Sequence, residues 1–238
     1  MKKWLGCSFT KSDAALWGLS VCMITGSFLL FDRSSYLTLA ASLLGVTSLI
    51  FNAKGHPFGQ FLMVVFSLLY GYLSYAQAYY GEMITYLGMT GPMALFELIA
   101  WLRNPFEGNH AEVAVNRLSA RETGFMLVFT AAVTFVFYFI LAAFDTAHQW
   151  LSTLSVTTSF IAVYLTFRRS PFFALAYAAN DVVLIALWLL ASAADPSCIS
   201  VVVCFAVFFF NDLYGFISWQ HMQKRQSISA CQTLPQHV

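Results

Sequence analysis

The chain alternates long apolar stretches with short polar loops along most of its length. Eight stretches are long enough to cross a bilayer as helices, and each is continuously apolar rather than alternating in polarity. This pattern predicts an all-α polytopic membrane protein and argues against a β-barrel. The predicted spans are residues 14–31, 36–51, 58–80, 83–102, 124–144, 150–167, 171–193 and 197–219.

Basic residues are distributed unequally between the two sides of the predicted membrane. With the N-terminus inside, eleven of the twelve Lys and Arg residues fall on the cytoplasmic side, and only Arg33 falls outside. The positive-inside rule therefore predicts that both termini are cytoplasmic, which requires an even number of spans. A cleaved signal peptide is the weaker interpretation of the first span, because the apolar run is long and no small-residue cleavage motif directly follows it.

The loops and ends of the spans suggest how the chain is divided. Residues 103–123 form the longest loop, which we interpret as a soluble connector with a short surface helix in its second half. The last residues are polar, and we expect them to be disordered. We predict an extra N-terminal transmembrane helix, a first three-helix bundle, a cytoplasmic loop with a linker helix, a second three-helix bundle and a cytoplasmic tail, at residues 1–35, 36–103, 104–145, 146–222 and 223–238.

Composition excludes several classes of protein. Hydrophobic residues make up 59% of the chain and charged residues only 10%, which excludes an ordinary soluble domain. The net charge is +1 and the basic residues form no run, so nucleic acid is not an expected partner. The five cysteines have no metal-ligand spacing, and no Gly-rich phosphate loop indicates ATP drive. We therefore expect no catalytic residues, no metal and no cofactor.

An internal repeat organises the spans that follow the first. Equivalent residues are separated by 114 positions: Lys54 and Arg168, Pro57 and Pro171, Phe58 and Phe172, Glu97 and Asn211. In both copies a basic corner with Pro opens a long span, and the next span carries a polar residue near its middle. Such parallel repeats are a transporter architecture, with the substrate site between the repeats near the midplane of the membrane.

Polar residues inside the spans are the best clue to function, because a carboxylate in a bilayer costs roughly 2.5–3.5 kcal/mol on insertion scales. Three acids interrupt apolar spans, and helical spacing groups other candidates with them. The candidates are Tyr177, Asn180, Asp181 and Trp188 in span seven; Glu97 and Trp101 in span four; Asn211, Asp212 and Tyr214 in span eight; and Gln60, Tyr70 and Gln77 in span three.

Several of these candidates have a structural alternative. Asn180 and Asn211 would each serve equally to join helices by hydrogen bonds. Glu97 would be structural if it were protonated. Trp101 and Trp219 lie near span ends, where anchoring at the membrane interface is the common role of tryptophan.

Two segments resemble a known family. The string Asn211-Asp212-Leu-Tyr-Gly-Phe-Ile-Ser-Trp219 and the string Phe96-Glu97-Leu-Ile-Ala-Trp101 are similar to those of PnuC-type vitamin transporters, over residues 36–226. The resemblance implies a SWEET-like 3+1+3 arrangement, two parallel three-helix bundles and a linker helix, here with an extra N-terminal helix. It also implies a homotrimer in the bacterial plasma (inner) membrane that carries nicotinamide riboside by facilitated diffusion, with a cytoplasmic riboside kinase trapping the substrate.

The candidate residues suit such a substrate. Nicotinamide riboside carries a pyridinium charge, a carboxamide and ribose hydroxyls, which match carboxylates, aromatic faces and amides respectively. We expect Trp188 to supply an aromatic face and Asn211 to hydrogen-bond the substrate. The alternatives are a carrier of another vitamin or nucleoside, such as thiamine, with or without ion coupling, and a multi-span sensor or membrane enzyme.

Overall fold

The computed structural model of the protein describes residues 9–76, 80–146 and 148–232. The described part is almost entirely helical, and it contains eight helical segments that are long and apolar enough to cross a membrane. This confirms the predicted all-α, multi-pass fold. The elements are α1 (Lys11–Phe31), α2 (Tyr36–Ala53), α3 (Phe58–Ala76), α4 (Tyr80–Thr85), a π-helical turn (Tyr86–Thr90), α5 (Gly91–Arg103), β1 (Pro105–Phe106), β2 (Asn109–Val113), α6 (Ala120–Ala143), α7 (Gln149–Phe167), α8 (Phe173–Ser192), a 3-10 turn (Pro196–Cys198) and α9 (Ile199–Gln232).

The helices pack as two bundles with one helix attached to each. The first bundle contains α2, α3 and the span formed by α4, the π-helical turn and α5, whereas the second contains α7, α8 and α9. The bundles meet where α2 packs on α9 and where α5 packs on α7. The additional helices flank this core, with α1 against α2 and α9 and with α6 against α7.

The repeat seen in the sequence recurs in the backbone at the ends of α2 and α7. Two residues beyond the end of each helix lies a residue in the left-handed region, Gly55 with φ 65° and Arg169 with φ 57°, and these residues are 114 positions apart. In both copies the amide of the following residue donates to the carbonyl five positions back, at 3.0 and 2.9 Å. This is the Schellman arrangement, which satisfies carbonyls at a helix end. The two copies therefore turn in the same way.

A basic residue at each of these corners pairs with an acid from a flanking helix. The Lys54 ammonium lies 2.6 Å from the carboxylate of Asp13 in the first turn of α1. Arg168 pairs with Glu122 in the first turn of α6. Asp13 is fully buried and also accepts a hydrogen bond from the Tyr214 hydroxyl of α9. Thus α1 supplies to the first bundle the counter-charge that α6 supplies to the second.

Two tryptophans join the bundles reciprocally just inside these corners. Trp101 of α5 donates from Nε1 to the Thr166 carbonyl of α7 at 3.0 Å. Trp219 of α9 donates from Nε1 to the Asn52 carbonyl of α2 at 2.7 Å. The accepting residues are again 114 positions apart, and the two indole rings lie 5.4 Å from each other. Both side chains are 0% exposed, so neither is an interfacial anchor.

The structure corrects the prediction for the long loop. Residues 105–113 form a short antiparallel hairpin, β1 with β2, and no helix follows it before Ala120. The predicted surface helix in the second half of this loop is therefore wrong. The reason is that the backbone amides of Val113 and Asn116 donate to the carbonyls of Gly55 and Arg169, which holds the segment extended.

The prediction that residues 223–238 are disordered is wrong for residues 223–232, and the rest of the tail lies outside the described residues. Instead of becoming disordered at Gln223, α9 continues to Gln232 and spans about 50 Å at the usual rise per residue. Gln226 in this extension is buried and hydrogen-bonded to the loop that follows the hairpin. These contacts, made far from the tail in sequence, order a polar segment that the local pattern assigns to solvent.

The reciprocal tryptophans make a testable contribution to stability. Trp101→Phe and Trp219→Phe keep an aromatic ring but remove the indole donor from a carbonyl that still accepts from the Arg169 or Gly55 amide, which costs about 0.5–1.5 kcal/mol. We expect each variant to melt at a lower temperature than the parent in detergent. Trp150→Phe is the matched control because Trp150 is exposed on the surface of α7. Melting temperatures equal to that of the control would contradict a structural role for these bonds.

Candidate functional site

A cavity of about 100 Å³ lies between the two bundles. Its wall is built from both copies of the repeat and combines aromatic rings with hydroxyl, amide and carboxyl groups. The aromatic residues are Phe66, Tyr70, Tyr86, Tyr177, Trp188, Phe205 and Phe208, and the polar ones are Thr85, Thr90, Thr146, Ser152, Ser155, Ser159, Asn180, Asp181 and Asp212. This is the position expected for a substrate site between parallel repeats.

Two carboxyl groups face each other in this cavity. Asp181 of α8 and Asp212 of α9 are 4% and 5% exposed, and their side chains lie within hydrogen-bonding reach of each other. Asp181 Oδ2 has no hydrogen-bond partner among the described residues. Burying two carboxyls side by side is costly unless they share a proton or a cation balances them. The arrangement of the pair therefore favours either a shared proton or a bound cation.

Aromatic rings form another part of the cavity wall. Tyr70 of α3 packs at 4.4 Å from Tyr86, the first residue of the π-helical turn. The ring centroid of Phe66 lies 5.6 Å from that of Tyr70 and 6.4 Å from that of Phe208. The ring contacts therefore continue across the bundle interface. Trp188 of α8 also lines the cavity and is 8% exposed. Such rings provide flat faces for stacking and negative potential for a cation.

Asn180 is held in place by helix α7. Its Oδ1 accepts hydrogen bonds from the hydroxyls of Ser155, Thr158 and Ser159, at 3.3, 2.8 and 3.1 Å. Because the oxygen is occupied, the amide NH2 is the polar group that Asn180 offers to the cavity it lines. The helix-joining role and the binding role considered for this residue are thus compatible.

A second pocket adjoins the cavity on the side away from Lys54. Its polar residues include Asp32 and Asp195, and we call it the acidic vestibule. Tyr70 and Trp188 line both the cavity and the acidic vestibule, so these two rings separate the spaces. Asp195 accepts a hydrogen bond from the Ser197 amide at 2.9 Å, and this bond lowers the pKa of its exposed carboxyl. The vestibule is negatively charged.

The sequence candidates separate into two groups in space. Those that line the cavity are Tyr70, Tyr177, Asn180, Asp181, Trp188 and Asp212. Gln60, Glu97, Trp101, Asn211 and Tyr214 are not among its lining residues, and Gln77 lies outside the described residues.

Each candidate away from the cavity has a different environment. Asn211 donates from Nδ2 to Ser20 of α1 at 2.9 Å and to the Val207 carbonyl at 2.8 Å. Tyr214 also faces α1, through its bond to Asp13. Gln60 donates from Nε2 to Asn52 Oδ1 at 3.2 Å near the end of the first bundle. The candidates in α9 that point away from the cavity therefore hold the extra N-terminal helix.

Glu97 lies in α5 between the cavity and the tryptophan pair. It is 1% exposed, and its Oε1 has no hydrogen-bond partner among the described residues. It interacts electrostatically with Tyr177, which lines the cavity. Glu97 is thus near the site but does not line it.

Sequence reasoning missed two contributions to the cavity. Tyr86 and Thr90 reach it from the π-helical turn, which no helical-spacing argument anticipates. The hydroxyls of α7 were missed although span six is rich in Ser and Thr, which is a usable signal in an apolar segment. Within the described residues no three His, Cys, Asp or Glu side chains are grouped closely enough to hold a metal ion.

The chain is similar to known membrane transporters. It shares 27% identity over 220 residues with the nicotinamide riboside transporter PnuC of Neisseria mucosa, covering 90% of this chain and 82% of that protein. It shares 23% identity over 195 residues with the nicotinamide riboside transporter PnuC of Haemophilus influenzae, covering 80% and 82% respectively.

A crystal structure of the vitamin B3 transporter PnuC has the same fold. It matches with a TM-score of 0.81 at 23% identity, covering 94% of this chain and 97% of that one. The match confirms the predicted SWEET-like arrangement of helices.

The sequence profile described as nicotinamide mononucleotide transporter matches residues 35–221. The match covers most of the chain and confirms the resemblance found in its two motifs. It also confirms that the chain is a membrane transporter rather than an enzyme. The chain belongs to the nicotinamide mononucleotide transporter family.

Proposed function

We propose that the protein carries nicotinamide riboside across the membrane, through the cavity between its two bundles. The names of both relatives support this substrate. The observation that carries the proposal is the buried pair of Asp181 and Asp212 in a cavity walled by aromatic rings. A pyridinium ring is both flat and positively charged, so it satisfies the rings and the carboxyls together.

The cavity favours the riboside over the mononucleotide for which the family is named. Among the described residues that line it, none is Lys, Arg or His. A phosphate brought into this cavity would have no cationic partner and would meet two carboxyl groups, which is strongly unfavourable. The riboside lacks the phosphate and keeps the cationic ring.

We assign roles to the residues that line the cavity. Asp181 and Asp212 balance the pyridinium charge, and Trp188 stacks on the ring. Asn180 donates from its amide to the carboxamide or to a ribose hydroxyl, while Tyr70 and Tyr177 complete the pocket. Asn211 and Tyr214 support the site indirectly by fixing α9 against α1.

We propose that transport is facilitated diffusion in the inner membrane, with both termini in the cytoplasm, by a homotrimer. The distribution of Lys and Arg supports this orientation. We call the end of the molecule with Lys54, Arg168 and Arg225 the basic end, and it faces the cytoplasm in this proposal. A cytoplasmic kinase then phosphorylates the riboside, which prevents its return because the cavity rejects phosphate.

Calorimetry on the purified protein tests the substrate directly. We expect nicotinamide riboside to bind at least about a hundredfold more tightly than nicotinamide mononucleotide. This corresponds to a difference of roughly 2.8 kcal/mol in binding free energy. Nicotinamide should also bind weakly, because it lacks the ring charge and the ribose. Thiamine is the discriminating competitor since it is also a flat cation. Tighter binding of thiamine or riboflavin than of the riboside would replace the proposed substrate.

Replacement of a cavity carboxyl should distinguish a cation from a neutral molecule of nearly the same shape. We expect Asp181→Asn and Asp212→Asn each to weaken nicotinamide riboside about tenfold to hundredfold by calorimetry. The dihydro form of the riboside is uncharged, so its affinity for the same variants should fall by less than about threefold.

The matched control is Asp145→Asn, because Asp145 is exposed and its left-handed backbone is one that Asn tolerates. Equal losses for the charged and the neutral ligand would mean that the carboxyls are structural.

Removal of the indole at position 188 should remove stacking. Trp188→Ala is expected to weaken riboside binding about tenfold to hundredfold, whereas Trp188→Phe, which keeps a smaller ring, should retain most of the affinity. Trp150→Ala on the exposed surface of α7 is the control for loss of an indole. Unchanged affinity in a folded Trp188→Ala protein would locate the substrate elsewhere.

The energetics can be tested in proteoliposomes that contain only the pure protein. With no membrane potential and no kinase, labelled riboside should equilibrate to equal concentrations on both sides. Encapsulated riboside kinase with ATP should then cause the label to accumulate inside as the phosphorylated product. Accumulation of unmodified riboside driven by an imposed proton or sodium gradient would favour the ion-coupled alternative.

A further inference from the structure

The basic end of the cavity is closed by an aromatic plug contributed by both bundles. Trp219 of α9 lies 5.4 Å from Trp101 of α5 and 4.8 Å from Phe173 of α8, measured between ring centroids. Glu97 and Tyr177 lie between the plug and the carboxyl pair. A substrate that leaves the cavity at this end has to pass between the rings.

A short extended segment crosses the outside of this plug. We call residues 112–116 the strap. The Val113 amide donates to the Gly55 carbonyl at 3.0 Å, and the Asn116 amide donates to the Arg169 carbonyl at 3.0 Å. Gly55 and Arg169 are equivalent positions of the repeat, 114 residues apart, so the strap ties the same corner of both bundles. Val113 is 0% exposed and packs on the plug.

One side chain of α9 holds the strap in three places. Gln226 donates from Nε2 to Glu112 Oε1 at 2.8 Å and to the Val113 carbonyl at 3.0 Å. Its Oε1 accepts from the Val115 amide at 2.8 Å. Gln226 is 7% exposed, although it lies beyond the apolar part of α9. All of its hydrogen-bonding groups are thus directed at the strap.

An ion pair reinforces the same contact. Glu112, which accepts from Gln226, also pairs with Arg225 of α9 at 2.5 Å. The Arg225 side chain is 61% exposed, so the pair is screened by water and contributes less than the buried amide of Gln226.

The position of the strap connects these contacts to transport. The strap follows α5 of the first bundle along the chain, whereas Gln226 and the carbonyl of Arg169 belong to the second bundle. Carriers built from repeats expose their site by moving one bundle against the other. Separation of the bundles at the basic end must therefore break the strap's bonds to one of them, either those to Gln226 and Arg169 or the bond from Val113 to Gly55.

We propose that the strap and the plug form the exit gate of the carrier, and that Gln226 is the latch that holds this gate closed. Gln226 is a positioning residue, because it acts through the strap and does not touch the substrate. The proposal rests on the proposed function for the identity of the cargo and for the side on which the gate opens.

The test measures access to the cavity from each side of the membrane. In a protein whose native cysteines are replaced, Val163→Cys serves as the reporter because Val163 lines the cavity and is 1% exposed. Sealed vesicles of known orientation are treated with a charged, membrane-impermeant methanethiosulfonate reagent. We expect Gln226→Ala to raise the labelling rate from the cytoplasmic face about tenfold, since three hydrogen bonds of the closed state are lost.

Two further variants separate the latch from general damage to α9. Gln223→Ala removes the same side chain one turn earlier, and Gln223 makes none of the described bonds to the strap, so labelling should match the parent. Gln226→Glu places a carboxylate beside Glu112 and should open the gate at least as much as Gln226→Ala. Adding Glu112→Gln restores a donor–acceptor pair and should return the rate part of the way to that of the parent.

The outcomes are distinct. Labelling from the cytoplasmic face that is no faster in Gln226→Ala than in Gln223→Ala, with both proteins folded, would overturn the latch. Faster labelling only from the opposite face would keep the latch and reverse the proposed orientation. Calorimetry of riboside binding to the same variants tests the cargo separately, because loss of the latch leaves the residues of the cavity unchanged.

Discussion

The arrangement of this protein depends on two indole N–H groups that reach across the interface between its halves. Each donates to a carbonyl in the last turn of a helix in the other bundle, and the two carbonyls occupy equivalent places in the repeat. In a bilayer there is little hydrophobic force to press helices together, so packing and polar contacts of this kind determine how helices associate. The bonds lie at one end of the molecule only. That end is therefore closed while the bundles remain free to enclose a cavity nearer the middle.

Burial of acidic groups is the second constraint on the structure. Asp13, Glu97, Asp181 and Asp212 are all within the fold, but they are accommodated differently. Asp13 is satisfied by Lys54 and Tyr214, and it makes α1 a structural part of the first bundle. Asp181 and Asp212 face each other in the cavity wall, and in the proposed function the cationic cargo offsets the cost of burying them. Asp13 therefore stabilises the fold, whereas Asp181 and Asp212 are the acids that the proposed function uses.

The bilayer explains how much of the fold follows from the sequence. A segment that crosses it must be long, apolar and helical, which is why the eight spans and the repeat could be predicted. Tyr177, Asp181 and Trp188 share one face of a helix, and the same three residues line the cavity.

Contacts between remote segments could not be predicted in this way. Asn211 and Tyr214 face α1, where they bond to Ser20 and Asp13. These partners are 191 and 201 residues away in the chain, too far for a local pattern to reveal them. Tyr86 reaches the cavity through a π-helical turn that leaves no trace in the spacing of apolar residues. The ordered end of α9 depends on a hydrogen bond between Gln226 and an amide 111 residues away.

The carboxyl pair, with no Lys, Arg or His among the described residues of the cavity wall, favours a cationic cargo, and this has an electrical consequence. The carboxyl groups stay with the protein over a full cycle, so a carrier of the riboside alone moves one net positive charge inward with each molecule. The membrane potential, negative inside, then acts on the cargo with about 2.3 kcal/mol per 100 mV. A potential of about 100 mV would sustain a roughly fiftyfold higher concentration of the riboside inside than outside, without any coupled ion. A carrier of this design draws on the voltage of the cell through the charge of its substrate.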